Sequence, residues 1–337
     1  MASDITCSES LAARAPETAL DASVLDIDCV AETALVSARL VEIVGRVLRR
    51  RGVVIAVSGG IDSSVCAALA ARALGRERVL ALLLPEHDSS KDSTRLGRLV
   101  AEYLGLEYRV EDIGPALEAI GCYRWRDEAI RRVFPAYGAG WRSKIVVAGA
   151  QRGLTYFKLV VQSPSGETRE ERMGAQEYLQ VVAATNFKQR LRKTLEYFHA
   201  DRLNYAVIGT PNRLEYDQGF FVKNGDGSAD VKPIAHLYKT QVYALARHLG
   251  LPEEICSARP TTDTYSLPQG QDEFYFGLPY DRMDLALWAL NHEVSAEALA
   301  GAIGVTPAQA ERVYADIRSK RRATAYLHLA PQLVAPL

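Results

Sequence analysis

A chain of 337 residues with 48% apolar composition can bury a sizeable core, which excludes disorder throughout. Lys plus Arg number 40 against 41 Asp plus Glu, and the net charge of −1 provides no general footprint for nucleic acid or an anionic membrane. The five cysteines (Cys7, Cys29, Cys66, Cys122, Cys256) contain no Cys-x-x-Cys pair, no apolar run reaches about 18 residues, and Asp4 and Glu9 sit where a signal peptide needs a basic start. A disulfide framework, a zinc site, a membrane span and secretion are therefore disfavoured, and a reducing cytoplasm is the expected location.

Residues 1–22 are rich in Ala, Ser and acidic groups without sustained periodicity and read as a disordered tail. From Val24, apolar residues recur at helical spacing up to the basic Arg49-Arg50-Arg51. Val53–Val57 is a β-branched run stopped by Gly59-Gly60, and Ala67–Leu74 reads helical, giving strand, glycine turn, helix. The unit repeats through a strand at Val79–Leu84, a helix at Thr94–Leu104 closed by Gly105, and a strand at Tyr108–Ile113. Over about 122–185 the pattern changes: Ile145–Val147 and Phe157–Gln162 read as strands, the second leading into a Pro164-Ser165-Gly166 turn, which predicts an inserted β element. A helix at Phe187–Leu203, a strand at Tyr205–Ile208 and a helix at Lys239–Leu249 restore the alternation, and Asp284–Ile317 reads as small Ala-rich helices. The expected fold is α/β, a doubly wound parallel sheet with helices on both faces, forming one domain over 23–330 with the insertion inside it.

Ser58-Gly59-Gly60-Ile61-Asp62-Ser63-Ser64 lies at the turn from the first strand into its helix. Glycine removes the Cβ that would block an anion, so backbone N–H groups can converge there, reinforced by the positive end of the helix. Such a nest suits a pyrophosphate. Asp62, carrying a full negative charge, is better read as a magnesium ligand, with a plain tight turn and N-cap as the alternative. No Gly-Lys-Ser/Thr follows, so this is no Walker loop.

The segment resembles the PP-loop of the N-type ATP pyrophosphatases, which cleave ATP to AMP and pyrophosphate while adenylating a carboxylate or carbonyl oxygen. A second block, Gly209-Thr210-Pro211-Asn212-Arg213-Leu214-Glu215 with Gly219-Phe220-Phe221-Val222-Lys223-Asn224-Gly225-Asp226-Gly227, resembles the ammonia-dependent NAD synthetases specifically, as do Asn186–Arg192, Leu237–Val242, Tyr280–Asp284 and Lys320-Arg321-Arg322. The resemblance implies an adenine nucleotide α-hydrolase-like fold. It also implies ATP contacts from Ser58 to Ser64, Thr210 and Lys239, with Asp62, Thr210 and Lys239 catalytic, and Mg2+ held by Asp62 and Glu215. Arg190, Lys223, Asp226, Thr262, Lys320 and Arg321 are the positions it implies for the deamido dinucleotide. Read as residues alone, Glu215 could be a solvated loop carboxylate, Thr210 a helix N-cap, Lys223 and Asp226 a surface turn, and Arg190 a solvated helix face.

The implied reaction amidates nicotinic acid adenine dinucleotide to NAD through an acyl-adenylate, with ammonia as nitrogen donor. No acid-base triad is needed, and His87, His199, His236 and His248 read as surface or packing residues. About 57 residues precede Ser58, too few for a glutaminase domain, so free ammonia or a separate glutaminase is the expected source. The family also implies a homodimer. Two other readings are an amide synthetase for a different carboxylate and a non-catalytic nucleotide-binding sensor.

Overall fold

The computed structural model describes residues 20–148, 156–258, 265–268, 270 and 275–335. In chain order, a short turn at Ala22–Leu25 precedes α1 (Cys29–Glu42), β1 (Val53–Ala56), α2 (Ile61–Leu74), β2 (Val79–Leu83), α3 (Lys91–Tyr103) and β3 (Glu107–Val110). Next come α4 (Gly114–Ile120), α5 (Cys122–Val133), β4 (Arg142–Ala148), β5 (Tyr156–Gln162), β6 (Thr168–Arg172), α6 (Ala175–Leu203) and β7 (Ala206–Val207). The chain continues through α7 (Arg213–Gln218), α8 (Lys239–His248), α9 (Glu253–Cys256), α10 (Tyr280–Asn291), α11 (Ala296–Ile303) and α12 (Pro307–Thr324).

β1, β2, β3 and β7 form a parallel sheet in the order β3-β2-β1-β7. Successive strand residues alternate between its faces. Val53 and Ile55 pack with α1, α2 and α8, whereas Val54, Leu80, Leu82 and Val207 pack with α5 and α6. Both faces are thus covered, and β2 is buried along its whole length, as a doubly wound sheet requires. The chain runs outward from β1 through β2 to β3, then returns to place β7 on the other side of β1. The strand order therefore reverses between β1 and β7, where such sheets bind ligands at the carboxyl ends.

The inserted element is an antiparallel sheet in the order β4-β5-β6, with Ser163–Glu167 closing its second turn around Pro164-Ser165-Gly166. It is narrower than the sequence predicts. Cys122–Val133 is helix α5, and α6 begins at Ala175 and not near Phe187. The first third of α6 carries the β-branched Val181, Val182 and Thr185, and no side chain caps its start, so its helical signal is weak. The outer edge of β4 meets residues 265–268: Leu267 N–H donates to Ser143 O at 3.2 Å, and Ser143 N–H donates to Ser266 Oγ at 2.8 Å. β6 forms the opposite edge, exposed from Thr168 to Arg172.

Of the expected disordered tail, residues 1–19 lie outside the described residues, while its end is ordered. Asp21 caps the turn at Ala22–Leu25, and Leu20 and Leu25 pack among α10, α11 and α12. No helix among the described residues is long and apolar enough to cross a membrane.

Candidate active site

The Ser58–Ser63 segment lies at the carboxyl end of β1, and its shape depends on close backbone approach. Gly59 has φ +78°, and a Cβ there would stand 2.4 Å from Leu96 Cβ and 2.8 Å from Gly97 N in α3. Gly60 ends the loop as N-cap of α2, and its carbonyl accepts from Ser63 Oγ at 3.0 Å and Ser64 Oγ at 2.8 Å. Ser58 Oγ lies 3.3 Å from Ser63 Oγ and accepts from Gly60 N–H at 3.3 Å. The hydroxyls thus brace the loop that starts α2.

This loop opens into a cavity of about 1460 Å3 at the switch point. Thr210 and Glu215 line it from the segment after β7, Lys239 from the start of α8, and Asp226 and Lys320 from farther along the chain. Ser64 lies beneath the loop, fully buried. Asp62 receives Asn212 Nδ2–H on Oδ1 at 3.2 Å and ion-pairs with Lys239 Nζ through Oδ2. Asn212 belongs to a capping box: its N–H donates to Glu215 Oε2 at 3.1 Å, and its Oδ1 accepts from Glu215 N–H at 3.2 Å. One buried residue therefore fixes both carboxylates, Asp62 through its side-chain amide and Glu215 through its backbone N–H, a role the sequence does not announce.

Burial, followed by the neighbouring Asp62 charge, pushes the Glu215 carboxyl up to about 8. Burial works against the Lys239 ammonium, but Asp62 and Glu215 outweigh it and hold its pKa above the ordinary lysine range. Lys239 is an unfavourable residue at a helix start, yet Asp62 pairs it, Tyr280 presents its ring 5.3 Å away, and Asp284 caps the helix by accepting from the N–H groups of Lys239 and Thr240 at 3.2 and 2.7 Å.

The remaining expected positions divide. Asp226 is half-buried and accepts from Val222 N–H at 2.8 Å, and desolvation raises its pKa. Lys223 Nζ donates to the carbonyls of Tyr326 and Leu329 at 2.9 and 3.2 Å, which ties it to the C-terminal segment around the lining residue Tyr326, and Arg190 Nε donates to Lys223 O at 3.2 Å; neither Lys223 nor Arg190 lines the cavity. Lys320 Nζ donates to Tyr275 O at 2.6 Å and Asp316 Oδ2 at 2.6 Å. Arg321 forks onto Asp217 and Asn291 and does not line the cavity. Thr262 lies outside the described residues. None of His87, His199, His236 and His248 lines the cavity. His199, for example, is buried between Glu111 and Arg202.

Sequence reading missed an ion pair in the cavity wall: Lys193 Nζ lies 2.7 Å from Glu196 Oε2, with the two residues 5% and 3% exposed. Burial raises the Glu196 carboxyl against the pull of Lys193, and Asp226 adds to the rise. At i and i+3 on a helix such a pair reads as a solvated face, and its burial is a tertiary fact. Lys188 is a second case, fully buried against Glu86 and Asp88 beneath the rim loop after β2.

A glycine nest at a parallel-sheet switch point, with a buried lysine among carboxylates behind it, defines a PP-loop α/β nucleotide-binding protein. Comparison with known proteins narrows this class. The chain belongs to the NAD synthase family, whose model matches residues 37–133 and 153–323. It is 63% identical over 294 residues to an NH(3)-dependent NAD(+) synthetase of Rhizobium meliloti, covering 87% of this chain and 88% of that one. A protein of the same name from Thermotoga maritima is 40% identical over 250 residues, 73% of this chain and 83% of the other. Among solved structures, the NAD+ synthetase from Burkholderia pseudomallei superposes with a TM-score of 0.55 at 26% identity, covering 90% and 94% of the two chains. The fold is also that of an NH3-dependent NAD synthetase from Campylobacter jejuni, with a TM-score of 0.61 at 24% identity over 92% and 100%.

Proposed function

We propose that this chain amidates nicotinic acid adenine dinucleotide to NAD, using ammonia and ATP and releasing AMP and pyrophosphate. The observation that carries the reading is the convergence of the Ser58–Ser63 nest with Asp62, Glu215 and Lys239 in one cavity, within a chain 63% identical to an NH(3)-dependent NAD(+) synthetase.

In this reading the backbone N–H groups of Gly59 to Asp62 and the hydroxyls of Ser58 and Ser63 hold the departing pyrophosphate at the positive end of α2. Thr210 meets the nucleotide from the end of β7. Lys239 follows the phosphate charge, and Asp62 holds its ammonium ready for that contact. Asp226, Lys223 and Lys320 orient the dinucleotide so that its carboxylate meets the α-phosphorus, Arg190 supports Lys223, and Arg321 holds α12 so that Lys320 faces the cavity. Thr262 joins this set by its position in the sequence. Once the acyl-adenylate has formed, ammonia attacks its carbonyl carbon, the C–O bond to AMP breaks, and a proton leaves the nitrogen. Because the leaving group is already good, charge placement carries the reaction.

The donor set suits Mg2+. Asp62 and Glu215 offer two oxygen-donor carboxylates, and no group of three or more acidic, His or Cys residues among those described forms a full protein cage. Magnesium takes such a pair and completes its shell with water and phosphate. When bound there it would neutralise phosphate charge and lower the barrier to displacement at the α-phosphorus.

Incubation of the protein with ammonium, Mg2+, ATP and the deamido dinucleotide is expected to yield NAD, AMP and pyrophosphate in equal amounts, followed by chromatography. A folded protein that forms no NAD at saturating substrate overturns the assignment. Pyrophosphate release driven by a different carboxylate points to the related amide synthetase.

We also propose that the chain works as a homodimer. Leu179 and Phe198 stand 63% and 57% exposed on α6, large apolar groups on a helix that also lines the cavity. Light scattering is expected to give twice the 37.0 kDa chain mass, and Phe198→Glu to shift it to one. A monomeric wild-type protein at micromolar concentration rules this out.

A further inference from the structure

The inserted sheet reaches the cavity. Residues 134–152 fall between the two stretches that match the family model, so the hairpin begins outside that match. Its inner end, with α6 and the segment at 265–268, builds a wall that the sheet end alone would lack. Phe157 of β5 and Tyr178 of α6 stack with ring centroids 4.0 Å apart at 16°, and both line the cavity. Val147, Val182 and the buried Tyr265 surround them, and the cluster forms its own apolar core. Farther along the same face of α6 come Thr185, Asn186 and Gln189, which also line the cavity. The wall therefore offers a flat aromatic surface beside amide and hydroxyl groups.

That combination suits a planar ring with a polar edge. Every nucleobase has a π-face for stacking, and Asn or Gln amides match the donor-acceptor edge of adenine. The cavity exceeds the roughly 300–1,000 Å3 of a single ligand site. Farther along α6, Lys193 and Glu196 line the cavity together with Asp226 and Lys320, and this charged stretch suits the reacting groups better than a base.

We propose that Phe157 and Tyr178 form an adenine-stacking subsite, by which the inserted hairpin contributes to substrate recognition. The inference rests on the proposed function, because both nucleotides of that reaction carry adenine.

The test uses the full-length protein. Tyr178→Leu and Phe157→Leu remove a ring while keeping apolar bulk, and Tyr178→Phe keeps the ring. Loss of one stacked face is expected to raise a KM on the order of tenfold with kcat within about twofold of wild type, while Tyr178→Phe stays near wild type. A rise for ATP assigns the subsite to the adenine of ATP. A rise for the dinucleotide assigns it to the other adenine, and either result supports the subsite. Unchanged KM for both in folded Leu variants overturns it, as does a Tyr178→Phe variant as impaired as Tyr178→Leu. If the Leu variants do not fold, photolabelling of the wild-type protein with 8-azidoadenosine decides: label in peptides 156–162 or 175–189 supports the subsite, and label only elsewhere overturns it. A wild-type protein that forms no NAD instead sinks the proposed function.

Discussion

Asp62→Asn is expected to fold normally and to form NAD more slowly by on the order of a thousandfold. Neutralising one member of a buried charge cluster usually destabilises, because it strands the partner. Here Glu215 compensates. Its carboxyl stands near 8 owing to burial and to the Asp62 charge, and Lys239 pulls it the other way. With the Asp62 charge gone, Glu215 ionises beside Lys239 and the cluster keeps a balanced pair. The asparagine amide can still accept from Asn212 Nδ2–H, so Asn212 keeps that partner, and its capping box with Glu215 is untouched. What is lost is the charge that sets the Lys239 ammonium, and with it the anionic donor proposed for Mg2+. Melting temperature and NAD formation separate the two effects. Turnover within tenfold of wild type removes Asp62 from the reacting centre.

Lys193→Met is expected to cost about 3 kcal/mol of stability, and Lys193→Met with Glu196→Leu to recover most of it. The single variant leaves the 3% exposed Glu196 without its partner, whereas the double variant replaces a buried ion pair by apolar groups of similar size. The single loss also depends on pH. Burial already raises the Glu196 carboxyl, and removing Lys193 raises it further. A carboxyl whose folded pKa exceeds its unfolded value takes up protons on folding. The contribution of Glu196 to the stability of the Lys193→Met protein is therefore fully present below the unfolded carboxyl pKa of about 4.3 and is lost as pH rises through the folded value, so the deficit relative to wild type grows with pH. Urea denaturation at several pH values measures the trend. A double variant no more stable than the single one shows that the pair does not act as a unit.

The strands and glycine turns were legible because β-branched runs and Gly59-Gly60 act locally, and the alternation of strands and helices sufficed for the α/β class. Helix α6 was half legible, since Val181, Val182 and Thr185 weaken its periodicity while tertiary packing against the inserted sheet sustains it. Candidate residues near the loop and β7 do meet in one cavity. Farther ones were harder to place: Lys223 turns to carbonyls about a hundred positions away, and Arg321 turns to Asp217, because chain separation hides such contacts. Asn212 lies in the 209–215 block but takes no role from the sequence, because a neutral amide carries no charge pattern, although the residue bridges both carboxylates.

The inserted sheet has two long borders that meet different fates. On β4, Ser143 is bonded to Ser266 and Leu267, so that border is sealed by the same chain. On β6, Thr168 to Arg172 stands open, but Arg169, Glu170, Glu171 and Arg172 crowd it with charges of both signs. A bare row of peptide groups would recruit a strand from another molecule, and desolvating four ionised side chains opposes that pairing. The chain can therefore carry an extra hairpin beside its cavity without turning it into a template for self-association.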